Sequence, residues 1–385
     1  MFHTLLLSAW TIFHIYIFWR LISLPAVRRY FSRLFLFVII AALWSAYFLP
    51  GILNDLGLNS LSRIISLFGM NWLGTTFLIF VCLLIVDLLT LYGLILRSYL
   101  KYLRPAGFVA GILLSLIALY LGYRSPIIRN YEITLPNLPA QDDGQVLVAI
   151  SDLHVGTFLD ENWLSARVKQ INALKPDIVV MLGDLFEGDS PSERRKSMIE
   201  ILKGISAPLG VWGIVGNHES HGGLGSTTQF LEESGIQMLR DQWKEIEPGL
   251  VLAGADEHHY NSNIPGSSDR LAWFINGRPL NCATIYLSHR PVGAEEAAAA
   301  GAGLMLSGHT HGGQLWPFTY ISALANPLLA GKYVIDGMPV IVSRGTGTWG
   351  PRMRLWHPGE ILRITLRSPD KHNSLIQGEP GINGQ

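Results

Sequence analysis

Residues of the types that bind metal ions follow five short apolar segments of this chain, at the point where each segment ends. Apolar runs of this length are typical of buried strands, and strand ends are where α/β proteins build their sites. A single aspartate or histidine there means little, whereas five such groups in one chain indicate a shared site. The candidate ligands are Asp152, His154, Asp184, Asn217, His289, His309 and His311.

The chemistry of these side chains indicates which ions would bind. Carboxylate oxygen together with imidazole nitrogen suits manganese, iron or zinc better than calcium or magnesium alone. No cysteine is among the candidates, which disfavours a structural zinc site. Seven candidates suit two ions and greatly exceed the needs of one. Two ions about 3.5–4 Å apart, bridged by a carboxylate, hold a phosphoryl group and lower the pKa of a bound water molecule. Glycine precedes Asp184, Asn217 and His309, which lets the backbone turn sharply there.

The elements that must position these residues begin near residue 146, where strand-like and helical segments alternate. Continuous apolar strands between helices predict an α/β domain over residues 145–367, with a buried sheet covered by helices on both faces. The predicted helices lie near Glu161–Leu174 and Ser192–Lys203. The predicted strands are Val146–Ile150, Ile178–Leu182, Val211–Val215, Leu250–Gly254, Thr284–Leu287, Leu304–Leu306, Val340–Ser343 and Ile361–Leu366.

Two segments flank this domain. Residues 125–144 contain several prolines and glycines and an acidic pair, and they predict an exposed linker with a short strand at Tyr131–Leu135. Residues 368–385 are polar and predict a disordered tail.

The first 124 residues are predicted to form a four-helix transmembrane domain. The chain is 49% hydrophobic and only 15% charged, with a mean hydropathy of +0.30, so part of it belongs in lipid. Basic and acidic residues number 29 each, which gives no reason to expect nucleic-acid binding. Four apolar segments each approach the ~20 residues that cross a bilayer. They are Leu5–Ile22, Leu34–Leu53, Leu73–Leu96 and Pro105–Tyr123.

The orientation of these segments follows from the charges between them. Basic connections remain in the cytoplasm, and the first and third connections are the basic ones. Everything after Tyr123 is therefore expected outside. Asp87, within the third segment, is expected to pair with a tyrosine or serine of a neighbouring helix. The basic residues are Arg28, Arg29 and Arg33 in the first connection and Arg97, Lys101 and Arg104 in the third.

The order of the strand-end groups resembles that of the calcineurin-like metallophosphoesterase superfamily. The shared pattern is Asp-x-His, Gly-Asp, Gly-Asn-His-Glu, a single His and Gly-His-x-His, over Val146 to about Leu366. The later runs Ser343–Gly347, Gly350–Pro351 and Pro358–Ile361 look like the bacterial membrane-anchored branch of that family. The resemblance implies a four-layer αββα sandwich, a phosphoester substrate, two divalent ions and a bacterial plasma membrane as the location.

The same resemblance implies a role for each matching residue. His218 would stabilise the phosphoryl oxygens or protonate the leaving oxygen. Glu219 stands where the family usually has aspartate, and it is expected to orient His218. Arg344 and Arg352, in glycine-rich loops after a strand, are candidates for binding phosphate. The first ion would be held by Asp152, His154 and His311 and the second by Asn217, His289 and His309, with Asp184 bridging the two.

Two questions stay open at this stage. The substrate is either a lipid-linked phosphoester or pyrophosphate, or a soluble phosphodiester, phosphomonoester or nucleotide. An apolar rim after the last motif favours a lipid-like group. The alternative to an enzyme is a membrane receptor or accessory protein whose phosphoesterase-like domain only binds a ligand, and missing metal ligands would favour it. The rim consists of Leu315, Trp316, Phe318 and Tyr320.

Overall fold

The N-terminal residues fold into helices, and the remainder of the chain forms two β-sheets flanked by helices. This arrangement is seen in a computed structural model of the full chain, which describes residues 2–156, 158–187, 192–221, 224–256, 275, 277–279 and 281–370. The chain divides into a helical unit, Met1–Arg124 with Gly350–Trp356, and an α/β unit, Ser125–Trp349 with His357–Gln385.

The helical unit is built from apolar helices joined by short connections. Its long helices consist almost entirely of residues that favour an apolar environment, such as leucine, isoleucine and phenylalanine. The described helices are α1 (Phe2–Ile22), α2 (Pro25–Tyr30), α3 (Arg33–Ser45), α4 (Leu49–Asp55), α5 (Asn59–Leu89) and α6 (Leu100–Tyr123).

Fewer helices than the four predicted ones are long enough to cross a membrane. Among the described residues, Asn59–Leu89 and Arg97–Tyr123 have the length and composition of spans. The pair α3 and α4, bent by 61°, would add a third if it crosses as one unit. The bend has a local cause, because Pro50 at the start of α4 cannot continue the preceding helix. The apolar part of α1, Leu6–Ile22, is shorter.

A loop from far along the chain packs within the helical unit. The backbone N–H of Arg352 donates to Asn71 Oδ1 at 2.9 Å, and that of Arg354 donates to the carbonyl of Ala118 at 2.9 Å. Gly122 lies directly against the backbone of Arg352, where a Cβ atom would overlap it. The seven residues Gly350–Trp356 therefore belong to the helices in space, although in sequence they lie between the last two strands of the α/β unit.

The α/β unit contains two six-stranded sheets. The first has the strand order β1-β14-β2-β4-β6-β7 and the second the order β12-β13-β11-β10-β9-β8, while β3 pairs with β5. The strands are β1 (Ile127–Thr134), β2 (Val146–Ile150), β3 (Val155–Gly156), β4 (Ile178–Met181), β5 (Phe186–Glu187), β6 (Val211–Gly213), β7 (Gln237–Met238), β8 (Gln242–Glu247), β9 (Leu250–Gly254), β10 (Ala283–Leu287), β11 (Leu304–Ser307), β12 (Gly331–Ile335), β13 (Met338–Val342) and β14 (Glu360–Arg367).

Helices cover the outer faces of the two sheets. The first of them begins where sequence predicts a start, because the Asp160 side chain accepts a hydrogen bond from Trp163 N–H at 3.0 Å. The described helices of this unit are α7 (Glu161–Asn172), α8 (Ser192–Leu202), α9 (Asn217–His221), α10 (Leu224–Glu233), α11 (Ala294–Ala299) and α12 (Phe318–Ala325).

The predicted four-layer αββα sandwich is confirmed by the packing of these layers. Buried side chains of both sheets, such as Leu147 and Leu252, form one core between the sheets. Leu164 of α7 and Met198 of α8 pack on the outer face of the first sheet, and Ala297 of α11 packs on the second. Full burial of one leucine side chain contributes about 1.5–3 kcal/mol, so these cores position the strand ends firmly.

The differences from the predicted elements lie at the sheet edges. The segment predicted as a linker contains β1, which pairs in parallel with β14 from Ile127 to Thr134 and forms an edge of the first sheet. Strands β8 and β12 were not predicted, because they are partly exposed edge strands without a continuous apolar run. In the predicted tail, residues 371–385 lie outside the described residues.

Candidate metal centre

Strand ends from both sheets bring the predicted ligands together. Asp152 and His154 follow β2, Asp184 follows β4, and Asn217 follows β6, and these strands are parallel neighbours in the first sheet. In the second sheet, β10 and β11 are parallel neighbours and precede the remaining histidines. The carboxyl ends of parallel strands meet at one edge of a sheet, which explains the convergence. The seven residues form two donor clusters, described below.

The backbone at most of these ligands is left-handed. Positive φ angles occur at Asp152 (52°), His154 (46°), Asp184 (52°), His309 (71°) and His311 (51°). A non-glycine residue in this region is strained by roughly 1–2 kcal/mol, and such residues concentrate at functional sites. The strain therefore marks this edge of the sheets independently of the side-chain types.

The first donor cluster consists of Asp152, His154 and His311, all buried. His154 Nε2 lies 3.1 Å from His311 Nε2, and His311 Nε2 lies 3.5 Å from Asp152 Oδ1. The carboxylate of Asp152 also accepts a hydrogen bond from His309 N–H at 3.1 Å. Three donor atoms therefore point at one common position.

The second donor cluster consists of Asp184, Asn217, His289 and His309. His289 Nε2 lies 3.1 Å from Asn217 Oδ1, 3.2 Å from Asp184 Oδ2 and 3.3 Å from His309 Nδ1. On the other side of the ring, His289 Nδ1 is 2.7 Å from the carbonyl of Leu182 and donates to it. That hydrogen bond fixes the tautomer and leaves the Nε2 lone pair directed into the cluster.

Asp184 lies between the two clusters. Its Oδ2 atom is 3.2 Å from His289 Nε2 and 3.9 Å from His154 Nε2. Its Oδ1 atom accepts a hydrogen bond from His218 N–H at 2.9 Å. Gly216 must be glycine, because a Cβ atom there would overlap Asp184 Oδ1. Asp184 thus occupies the position that a bridging carboxylate requires.

The charges of the site favour metal binding. Burial raises the pKa of Asp184, but His289, His154 and His218 outweigh it and hold that pKa below its usual range. Burial raises the pKa of Asp152 to about 6. Burial, together with His289, lowers the pKa of His309 to about 3, so its imidazole is neutral, which is the form that coordinates a metal.

Glu219 differs from its predicted role. We expected it to orient His218, but its hydrogen bonds go to backbone amides. Glu219 Oε2 accepts from the N–H groups of Asp184 (2.9 Å) and Gly216 (2.8 Å). Glu219 Oε1 accepts from those of Leu185 (2.6 Å) and Phe186 (3.2 Å). The buried carboxylate therefore fixes the loop that carries Asp184, and its length relative to aspartate lets it reach four amides.

Three further residues at the site were not predicted. Glu187 Oε2 lies 3.9 Å from His154 Nδ1, and burial together with the charge of Asp184 raises the pKa of Glu187 to about 7. The Trp349 ring packs against His218, with ring centroids 6.2 Å apart. The Gln314 side chain holds Trp349 by two backbone hydrogen bonds of 3.0 Å. The one sequence signal was the closeness of Glu187 to Asp184, since Trp349 lies far from every metal-ligand motif.

The two predicted phosphate-binding arginines have different locations. Arg344 lies beside the last motif. Its side chain is so close to Gly312 that a Cβ atom built on this glycine would be 3.2 Å from Arg344 Cγ. Arg352 belongs to the helical unit, where its guanidinium lies 3.9 Å from the ring centroid of Tyr123. Arg344 is therefore near the donor clusters, whereas Arg352 belongs to the other unit of the chain.

The donor set fits two divalent ions. Two ligand atoms that bind one tetrahedral ion at about 2.0–2.1 Å are about 3.3 Å apart. The nearest donor pairs in both clusters, at 3.1–3.5 Å, have this spacing. Two imidazole nitrogens that face each other at such distances cannot both carry a proton, and a cation between them removes the conflict.

Comparison with known proteins agrees with this geometry. The sequence model of the calcineurin-like phosphoesterase family matches residues 146–313. An uncharacterized metallophosphoesterase of Aquifex aeolicus is 30% identical over 250 residues, which cover 62% of this chain and 91% of that protein. The chain belongs to the calcineurin-like metallophosphoesterase family. As a metallophosphoesterase, it is a hydrolase of phosphoric esters.

Two other metallophosphoesterases extend the similarity toward the N-terminus or toward membrane proteins. An uncharacterized metallophosphoesterase of Campylobacter jejuni is 28% identical over 372 residues, covering 92% of this chain and 95% of that protein. In Danio rerio, a transmembrane protein with metallophosphoesterase domain is 33% identical over 253 residues, covering 63% of this chain and 57% of that protein.

Proposed function

We propose that this metallophosphoesterase is anchored in a membrane, binds two ions of manganese, iron or zinc, and hydrolyses a lipid-linked phosphoester or pyrophosphate. The position of Asp184 between the two donor clusters carries the two-ion part of the proposal. The first cluster would hold one ion, and Asn217, His289 and His309 the other. Bound ions would lower the pKa of a water molecule and neutralise charge on the phosphoryl oxygens.

The side chains around the clusters supply the remaining chemistry. His218 is half-buried, and its ring centroid lies 4.8 Å from that of His154. It would donate a proton to the leaving oxygen or a hydrogen bond to a phosphoryl oxygen. Contact with Trp349 restricts the orientation of its ring. Arg344, beside the last motif, would bind a phosphoryl oxygen through its guanidinium.

An exposed apolar helix supports a lipid-linked substrate. Helix α12 begins seven residues after the last candidate ligand, His311, and residues 312–331 include no charged residue. Among the described residues after 124, eight large apolar side chains are strongly exposed, and half belong to this one helix. Clusters of this kind are typical of contacts with lipids or partner proteins. The four residues, which we call the apolar face of α12, are Phe318, Tyr320, Ile321 and Leu324.

Membrane anchoring and orientation have separate support. The helices Asn59–Leu89 and Arg97–Tyr123 have the length and composition of membrane spans, and the Danio rerio relative is named a transmembrane protein. Only three residues separate Tyr123 of α6 from Ile127 of β1, so the α/β unit is tethered by a short connection. We infer a multi-pass protein of a bacterial plasma membrane with its catalytic domain outside the cytoplasm.

The two-ion proposal is tested with the full chain in detergent, supplied with Mn²⁺ and an aryl phosphodiester or phosphomonoester. We expect Asp184→Asn to lower the rate at least about 100-fold, because a bridging ligand is lost, and to lower the bound metal per chain. Glu200→Gln is the matched control, since Glu200 is an exposed carboxylate on α8 whose ion-pair partner is Lys203. A wild-type rate and metal content in Asp184→Asn would refute the assignment.

A further inference from the structure

One end of the helical unit contains a buried group of charged side chains that the metal centre does not use. Arg20 lies near the end of α1, Asp87 near the end of α5 and Arg104 near the start of α6. Arg20 Nη2 is 2.5 Å from Asp87 Oδ2, and Arg104 Nη2 is 3.7 Å from Asp87 Oδ1. Tyr16 Oη also donates to Asp87 Oδ2, in agreement with the tyrosine partner expected from sequence. We call these four residues the arginine cluster.

The arginine cluster has more positive than negative charge. Two guanidinium groups face one carboxylate, and their side chains are only 4% (Arg20), 14% (Arg104) and 1% (Asp87) exposed. Nε of Arg20 and Nε of Arg104 are buried without a hydrogen-bond acceptor among the described residues. A buried charge that lacks a counter-charge and acceptors is unfavourable, so the cluster is suited to an anion with several oxygens.

The surrounding chain would attract such an anion. Residues 1–124 contain nine arginine or lysine residues and two aspartates. Five of the basic residues are exposed and lie in or beside the connections at the same end of the helices as the cluster. Anionic lipids are drawn to basic segments next to membrane helices. These residues are Arg28 and Arg29 in α2, Arg33 at the start of α3, Arg97 before α6 and Lys101 in the first turn of α6.

The apolar neighbours of the cluster distinguish a lipid from a free anion. The guanidinium of Arg20 lies 3.7 Å from the ring centroid of Trp19 and 5.8 Å from that of Tyr92. Both rings are strongly exposed. Exposed tryptophan and tyrosine beside apolar helices are typical of the level of lipid headgroups. A ligand held by Arg20 would therefore contact aromatic rings as well as guanidinium groups.

We propose that the arginine cluster binds the phosphate group of an anionic phospholipid. The phosphate supplies the missing negative charge, and its oxygens can accept hydrogen bonds from Arg20 Nε and from Arg104. The N–H donors of the Arg104 guanidinium form a planar fork whose geometry matches phosphate oxygens. Ser23 Oγ, 3.3 Å from Arg104 Nη1, fixes the direction of that fork. The site shares no residue with the metal centre, and it does not depend on the proposed phosphoesterase substrate.

The experiment uses the full chain in a neutral detergent after removal of bound lipid. The melting temperature is followed by tryptophan fluorescence during titration with phosphatidylglycerol, with phosphatidylcholine of the same acyl chains, or with inorganic phosphate. We expect only phosphatidylglycerol to raise the melting temperature of the wild type in a saturable manner. In Arg104→Gln, the concentration for half of the effect should rise by about tenfold or more, because charge-assisted hydrogen bonds are lost.

Arg124→Gln is the matched control, since Arg124 is an exposed cation at the opposite end of α6 and should leave the titration unchanged. Arg104→Lys keeps the charge but not the fork, and it should give an intermediate midpoint. An equal loss in Arg124→Gln would assign the effect to general surface charge and refute the site. An equal shift with phosphatidylcholine or with inorganic phosphate would refute an anionic lipid as the ligand. Unchanged binding in Arg104→Gln would refute the arginine cluster.

Discussion

At the scale of single residues, the strained candidate ligands are held by hydrogen bonds from neighbouring loops. Thr346 N–H donates to the carbonyl of Ser151 at 2.8 Å, and Gly347 N–H donates to that of Asp152 at 3.0 Å. Gly308 can lie against the Asp152 carboxylate only because it has no Cβ atom. A left-handed residue persists only where its surroundings fix it, and these contacts supply that restraint at the first donor cluster.

Glu219 supplies the corresponding restraint at the second cluster, and its removal should be costly. Glu219→Ala leaves four buried amides without their acceptor, so we expect a loss of about 3 kcal/mol in the free energy of unfolding. The melting temperature of the full chain should fall by about 6–12 °C. Glu219→Asp should give an intermediate loss, because the shorter carboxylate reaches fewer amides. The exposed Glu232→Ala on α10 serves as the control, and a wild-type melting temperature in Glu219→Ala would contradict the role.

His218 should affect turnover and leave metal binding intact. Its side chain lies beside the clusters, whereas its backbone N–H donates a hydrogen bond to Asp184. A substitution at position 218 removes the imidazole but keeps this backbone hydrogen bond. We expect His218→Ala to lower kcat by about 10²–10⁴-fold with unchanged metal per chain. The loss should be larger for an alkyl than for an aryl phosphoester, since a poor leaving group depends more on a proton donor. A parallel loss of metal would instead assign His218 to the ligands.

The residue types and their positions after strands were sufficient to predict which side chains converge. Asp184 and His289 lie in different sheets, 105 positions apart in the numbering, yet their donor atoms are 3.2 Å apart. Trp349 could not be predicted, because its link to the site runs through Gln314 and through packing against His218. Such contacts depend on loop conformation, which leaves no periodic signal in the sequence.

At the scale of elements, the buried strands were predictable, whereas of the edge strands only part of β1 was predicted. The central strands β2, β4 and β9 are apolar along their length, and their predicted and observed bounds differ by at most one residue. Edge strands such as β8 have partly exposed residues of both kinds, so neither a continuous nor an alternating pattern marks them. Helix α12 was seen in the sequence only as an apolar rim, since it is just 8 residues long.

The apolar face of α12 should matter for lipid substrates and not for soluble ones. Ile321→Asp and Leu324→Asp place a charge on side chains that are 57% and 88% exposed, so the fold should tolerate them. We expect hydrolysis of a detergent-dispersed lipid phosphoester to fall about tenfold or more, because burying a carboxylate in lipid is unfavourable. Hydrolysis of a water-soluble aryl phosphoester should be unchanged. Both rates would be measured on the same preparations.

Val334→Asp is the matched control for this helix. Val334 is 63% exposed on the edge strand β12 and belongs to the same α/β unit. The same loss in Val334→Asp would indicate a general effect of surface charge. Equal rates on the lipid substrate in all variants would show that the helix does not contact it and would favour a soluble phosphoester.

At the scale of the whole molecule, the side on which the metal centre works depends on one helix. The bent pair α3 and α4 either crosses the membrane as one span or re-enters on the same side, which changes the number of spans. That ambiguity moves the N-terminus, but the side reached by residues after Tyr123 is set by the orientation of α6 alone. The charged residues on the two sides of α6 therefore determine on which side of the membrane the α/β unit lies.

The charges beside α6 predict that the α/β unit lies outside the cytoplasm. Three basic residues, Arg97, Lys101 and Arg104, precede or begin its apolar part, and two, Arg124 and Arg129, follow it. Because the more basic flank remains inside, a β-lactamase fused after Gln385 should confer ampicillin resistance on a bacterial host. A fluorescent protein at the same place should stay dark, whereas one that replaces the chain after Lys101 should fluoresce. Fluorescence of the C-terminal fusion without resistance would place the metal centre in the cytoplasm, where its substrate would be a phosphoester of the inner leaflet or of the cytosol.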